Sequence, residues 1–109
     1  MRILLLCSAG MSTSLVVARM KEAAEAQGKE GYQIWASDVQ SLEKEMGHFD
    51  VCLLGPQIVY MKRRVARTVG DKAPVDVIAA QAYGLCDGKA VLKHAERLYD
   101  EWKKENGKG

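Results

Sequence analysis

No stretch of this 109-residue chain is apolar for long enough to cross a membrane: its longest apolar run is five residues, against the roughly 20 that a helical span needs. The apolar start Ile3 to Leu6 is also shorter than the ~7 to 15 residues of a secretory core, and Arg2 alone is a poor basic flank. Paired cysteines are missing too. The three that occur, at positions 7, 52 and 86, are odd in number and widely spaced, which excludes a disulfide framework and a C-x-x-C zinc site and leaves three free thiols. A strong charge of either sign is absent, since 16 basic residues face 14 acidic ones, and a net +2 gives no electrostatic footprint for nucleic acid. No internal repeat, linker or low-complexity segment divides the chain. These absences leave one cytoplasmic globular domain, with 48% hydrophobic and 28% charged residues and enough length for one core. Nothing in it calls for a metal or a cofactor, and a monomer is the default.

Four short apolar runs alternate with helical periodicity. The runs Ile3 to Cys7, Tyr32 to Ala36, Phe49 to Leu54 and Val75 to Ala79 are bounded by Gly, Asp, Ser or Pro and fit buried parallel strands. The first helix takes Ser12 or Thr13 as its N-cap and Gly28 as its stop, with Val16, Met20, Ala23 or Ala24, and Gln27 on one face. A shorter helix fits Ser41 to Met46. A third runs from Pro56 or Gln57 to Val69 with Ile58, Met61, Val65 and Val69 inward, and a fourth follows Asp87-Gly88 with Val91, Ala95, Leu98 and Trp102 as its inner stripe. Its end, from Lys103 on, is polar. Strict alternation predicts a three-layer α/β fold: a four-stranded parallel sheet of order 2-1-3-4 with helices on both faces and right-handed crossovers. Ligands of such sheets bind beyond the carboxyl ends of the strands, at the switch point between strands 1 and 3. Three segments are thereby expected around Cys7: Ser8 to Thr13, Gly55-Pro56-Gln57, and the loop Gln81-Ala82-Tyr83-Gly84.

Cys7 is the residue with the most chemical content. It ends the first strand and is followed by Ser8-Ala9-Gly10-Met11-Ser12-Thr13-Ser14, a small-residue, hydroxyl-rich turn into a helix. Successive N–H groups of such a turn can face inward at the positive end of a helix dipole, Gly10 tolerates a positive φ, and four hydroxyls add donors. That is an anion cradle around a nucleophile, suited to phosphate or a mimic of it. The competing reading is structural: a strand-end cysteine buried before an ordinary Ser-rich helix start.

Three separated motifs carry a family resemblance: Leu6 to Leu15 around Cys7; Leu53-Leu54-Gly55-Pro56-Gln57-Ile58-Val59-Tyr60-Met61; and Tyr83-Gly84 with Asp87-Gly88 before Val91-Leu92-Lys93. Together they resemble the IIB component of the lactose/cellobiose family of the bacterial phosphoenolpyruvate-dependent sugar phosphotransferase system. The likeness runs from the first strand to the last helix and is weakest over Lys29 to His48. It implies one IIB domain over residues 1–105 with a polar tail at 106–109, and a fold shared with the low-molecular-weight tyrosine phosphatases. It implies a phosphocysteine relay as well: Cys7 takes a phosphoryl group from a phosphohistidine of the IIA component and passes it to a cellobiose-like disaccharide held by the membrane IIC component. Residues 8–14 then bind the phosphate, and the domain works in the cytoplasm, transiently at the inner face of the membrane. The sugar itself is not legible.

Two other classes of function stay open at this point. A phosphatase or arsenate-reductase-like enzyme would need the C-x5-R arginine, where this chain has Thr13, or a resolving cysteine near the loop; no Asp-Pro pair supplies a general acid either. A flavodoxin-like binding module would use the same loop for a flavin phosphate. Among the remaining residues, Gln57, Tyr60 and Tyr83 are candidates to line the pocket or meet a partner, and Met11 to touch a partner. His48 and His94 read as surface or structural, Cys52 as core, Cys86 as a loop thiol, and Lys62-Arg63-Arg64-Arg67 as a solvated helix face or a contact for an acidic partner.

Overall fold

A computed structural model of the chain describes residues 1–8 and 13–106. Its first strand, β1 (Arg2–Cys7), lies inside the sheet, paired in parallel with β2 (Gln33–Asp38) on one side and β3 (Val51–Leu54) on the other. The fourth parallel strand, β4 (Val75–Val77), extends the sheet beyond β3, so the order is β2-β1-β3-β4, as the alternation predicts.

Side-chain alternation along β1 sorts the core into two halves. Ile3 and Leu5 face α1 (Ser14–Ala26) and the long C-terminal helix, here α5 (Gly88–Glu105), through Val16, Met20, Val91, Leu92 and Ala95. Leu4 and Leu6 face the opposite layer, formed by α2 (Leu42–Glu45) and α3 (Lys62–Val69), through Leu42, Phe49, Ile58, Val65 and Val69. All four β1 side chains are fully buried. Burying one such aliphatic side chain stabilises by about 1.5 to 3 kcal/mol.

The structure departs from the sequence-based expectations in three places. The helix expected over 56–69 is split: Pro56–Met61 forms a tight 3₁₀ turn, and regular helix starts only at Lys62. Ile58, at φ −116° and ψ 31°, is the break. This β-branched residue gives up helical geometry to bury its side chain against the α2/α3 half of the core, where it is 1% exposed. The segment after β4, expected as a loop, forms a single helical turn, α4 (Ala80–Gly84). In α5 Leu92 joins the fully buried stripe, whereas Trp102 is half-buried and stacks on Tyr99 at 6.0 Å.

Polar pairs fix the ends of the sheet. Arg2 donates its backbone N–H (2.8 Å) and Nε (3.3 Å) to Asp50 Oδ2 and Nη2 (3.0 Å) to Oδ1, which ties the start of β1 to the residue before β3. Burial works to raise the Asp50 carboxyl, but the Arg2 hydrogen bonds and charge outweigh it and hold its pKa below the ordinary carboxylate value. On the edge strand β4, Asp76 accepts the Val77 N–H at 2.8 Å, and its carboxylate also meets His94 Nε2 at 2.9 Å and Lys62 Nζ at 3.2 Å. The Asp76 carboxylate thus satisfies a strand N–H and places charge on an edge that would otherwise invite another strand.

Gly88, the first residue of α5, lies against the backbone of α1. A Cβ there would lie 2.5 Å from the Arg19 carbonyl oxygen and 2.5 Å from the Met20 nitrogen, with the Arg19 carbonyl carbon closer still. Backbone cannot yield as a side chain can. Gly88→Ala is expected to destabilise the fold by ~3 kcal/mol or more, and thermal denaturation should read this as a Tm drop of more than about 10 °C. For Asp50, a folded pKa below the unfolded one means that its stabilisation is complete above the unfolded value, near pH 4, and is lost as pH falls through the folded value. Asp50→Asn should cost about 1 to 2 kcal/mol at pH 7 and flatten the acid limb of a Tm-against-pH profile.

Candidate functional site

β1 delivers Cys7 to the carboxyl edge of the sheet, between Asp38 of β2 and the turn that follows β3. The Gly55 N–H donates to the Leu6 carbonyl at 3.0 Å, and the Ile78 N–H donates to the Leu54 carbonyl at 2.8 Å. These two bonds carry the ladder past the ends of the strands. They set the starts of the Pro56 turn and of α4 beside the same edge. The Cys7 thiol is half-buried, and Sγ donates to the Ser37 carbonyl at 3.5 Å. By the alternation of β1, Cys7 follows Ile3 and Leu5 toward the α1/α5 side.

α1 opens on this edge. Thr13 is its N-cap and is 3% exposed, and its carbonyl accepts the first helical bond, from Val17 N–H at 3.0 Å. Its side chain makes no capping bond, so the capping role expected of Thr13 is carried by the main chain alone. Ser8 is half-buried beside Cys7, and Ser14 is exposed at the first position of the helix. Of the predicted phosphate-binding residues, Ala9, Gly10, Met11 and Ser12 lie outside the described residues.

Tyr83 and Gln57 meet at this edge, and Tyr60 does not join them. The Tyr83 ring packs against the margin of the α1/α5 core, yet its hydroxyl is buried and without a hydrogen-bond partner among the described residues. Gln57 reaches toward it from the Pro56 turn but stops short of a full hydrogen bond. Burial first, and then negative charge at Cys7 and at Cys86, push the Tyr83 phenol above its ordinary pKa, with Gln57 opposing. Tyr60 is 77% exposed and lines a separate shallow depression with Val59, Lys62, Arg63 and Ala66. Exposed apolar side chains border the same end of the sheet: Leu15 at the start of α1, Val59 after β3, and Leu85 after α4, at 46%, 56% and 70% exposure.

The other thiols separate cleanly. Cys52 is fully buried inside β3, and burial pushes its pKa up to about 12. Cys86 is half-buried, with φ +51°, the one positive φ of a non-glycine among the described residues. His48 is exposed, and His94 is engaged by Asp76. Two features, one at the site and one at the far end of β1, escaped the sequence reading. One is the helical turn that presents Tyr83, for which the run Ala79-Ala80-Gln81-Ala82 was an available signal; the other is the Arg2–Asp50 clamp, which links residues 48 apart and leaves no local signal.

Comparison with known proteins decides the family. The family model "PTS system, Lactose/Cellobiose specific IIB subunit" matches residues 2–94. The chain belongs to the lactose/cellobiose-specific IIB family of the phosphotransferase system. It is 42% identical to the galactose-specific EIIB component of Lactococcus lactis subsp. cremoris over 102 residues, covering 88% of this chain and 94% of that protein. It is 40% identical to the oligo-beta-mannoside-specific EIIB component of Bacillus subtilis over 98 residues, covering 89% and 94%. The solution structure of a cellobiose-specific IIB component from Borrelia burgdorferi superposes with a TM-score of 0.76 at 34% identity, covering 93% of each chain. IIB membership makes the chain a sugar phosphotransferase component and does not favour the phosphatase, arsenate-reductase or flavodoxin-like alternatives.

Reactivity of the three thiols reports on this geometry. Native protein treated with iodoacetamide near neutral pH should be modified at Cys7 and Cys86 and spared at Cys52, as read by peptide mapping over time. Inorganic phosphate should slow modification at Cys7 and leave Cys86 unchanged.

Proposed function

We propose that this IIB component carries the phosphoryl group on Cys7. The observation that carries the reading is the position of the thiol: it stands at the carboxyl edge of the central strand, directly ahead of the N-terminus of α1. The group arrives from a phosphohistidine of a IIA partner and leaves for a sugar held by a membrane IIC partner. Amide N–H groups of residues 8–14 and the first turn of α1 neutralise the phosphoryl oxygens without a cation in the loop. Thr13, standing where a phosphatase has arginine, suits a carrier that must keep a reactive thiophosphate from water.

One face serves both partners in turn, so each contact is small and transient. The exposed side chains of Leu15, Val59 and Leu85 supply adaptable surface at that end of the sheet. No described helix is long and apolar enough to cross a membrane. We place the domain, residues 1–105 with a short polar tail, in the cytoplasm and transiently at the inner face of the membrane. Relatives at similar identity are named for galactose and for oligo-beta-mannoside, which supports leaving the choice of sugar to the IIC partner.

The test is transfer of labelled phosphate from a phosphorylated IIA partner. Wild type, Cys52→Ser and Cys86→Ser should take up label at similar rates, and Cys7→Ser should take up none at the wild-type rate. Hydrolysis of small aryl phosphates should be on the order of a hundredfold or more below that of an enzyme with the arginine clamp. Label on another residue, or brisk hydrolysis abolished by Cys7→Ala, would overturn the reading.

A further inference from the structure

The Tyr83 hydroxyl is an exception to the polar bookkeeping of this fold. A buried hydroxyl without a partner is costly and rare in a native protein, and among the described residues it is the buried side-chain polar atom left in that state. Its surroundings are chemical rather than merely structural. The ring is anchored on the α1/α5 side of the sheet, the side to which the alternation of β1 directs Cys7, and Gln57 approaches the phenol from the next strand's loop.

We propose that the Tyr83 hydroxyl is a phosphoryl-binding donor, positioned by Gln57, that hydrogen-bonds the group carried on Cys7. This rests on the reading of Cys7 as the phosphorylated residue. Among the described residues the hydroxyl has no acceptor, and an incoming phosphoryl oxygen would supply one. In the transfer the Sγ–P bond forms as the N–P bond of the phosphohistidine breaks. The proton of the Cys7 thiol ends on the imidazole, and Tyr83 keeps its own. Burial and the negative charge beside it keep the phenol protonated, so it stays a donor through the neutral range. Such a neutral donor also fits a loop in which Thr13 replaces an arginine: it steadies the phosphoryl group without the charge that would favour attack by water.

The experiment compares wild type, Tyr83→Phe, Gln57→Leu and, as a phenol control distant from the edge, Tyr99→Phe. Each is phosphorylated by the IIA partner; label is mapped by peptide mass and the phosphoryl resonance is titrated by ³¹P NMR. Tyr83→Phe should still be labelled at Cys7, but about tenfold to a hundredfold more slowly. Its phosphate should titrate at higher pH than in wild type, because a hydrogen bond to the dianion that lowered the midpoint is gone. Gln57→Leu, a change at an exposed position, should shift the midpoint the same way by less, and it carries the test if Tyr83→Phe fails to fold. Tyr99→Phe should match wild type. A midpoint unchanged in Tyr83→Phe, or in Gln57→Leu where that variant stands in, overturns the proposal whatever the rate. Absence of label at Cys7 in wild type overturns instead the reading on which it rests.

Discussion

Everything at the candidate site hangs on the central position of β1. The strand has neighbours on both edges and a helical layer on each face, so four consecutive aliphatic side chains, Ile3 to Leu6, are removed completely from water. A slip of one residue would exchange the two faces and send Ile3 and Leu5 into the layer built for Leu4 and Leu6. The register is therefore held by the whole core, and the position of Cys7 with it. Arg2 and Asp50 fix the other end of the same strand, so the thiol sits one strand length from a clamp.

The chemistry follows from what that placement leaves available. In the proposed carrier, the thiol at the end of β1 precedes the start of α1 in the sequence, amide N–H groups serve as the anion's donors, and residues 8–14 include no lysine or arginine. Such a site can accept a phosphoryl group and hold it; it is poorly equipped to drive hydrolysis. The surrounding surface fits the proposed role, because the described segments bordering that end of the sheet expose Leu15, Val59 and Leu85.

The sheet order, the helices on both of its faces and the place of Cys7 at the end of β1 were all legible in the residues, because each depends on short-range pattern: apolar runs, their spacing and the turn residues between them. The split at Ile58 was not, since Pro56 and the Val65–Val69 stripe mimic one continuous helix, and only the depth of the core under Ile58 decides against it. The α4 turn was too short for periodicity to reveal, although Ala79 to Ala82 favours helix. Partners distant in sequence, such as Asp76 with His94, or Lys29 and Tyr32 with Glu96, exist only once the chain has folded. The unpaired state of Tyr83 is of the same kind: sequence marks the residue as a pocket candidate, and packing alone shows its hydroxyl buried without a partner.

The most direct test of the backbone cradle is an amide ¹H–¹⁵N correlation spectrum of the protein before and after phosphorylation. Large shifts should be confined to residues 8–16 and to the neighbouring edge at 55–58 and 83–87, with downfield amide protons in the first group as they bond to phosphoryl oxygens, while the strands and the α1/α5 contact stay in place. Shifts centred elsewhere, or an unchanged 8–16 segment in a protein shown by mass to carry phosphate, would contradict a phosphoryl group held at the end of β1.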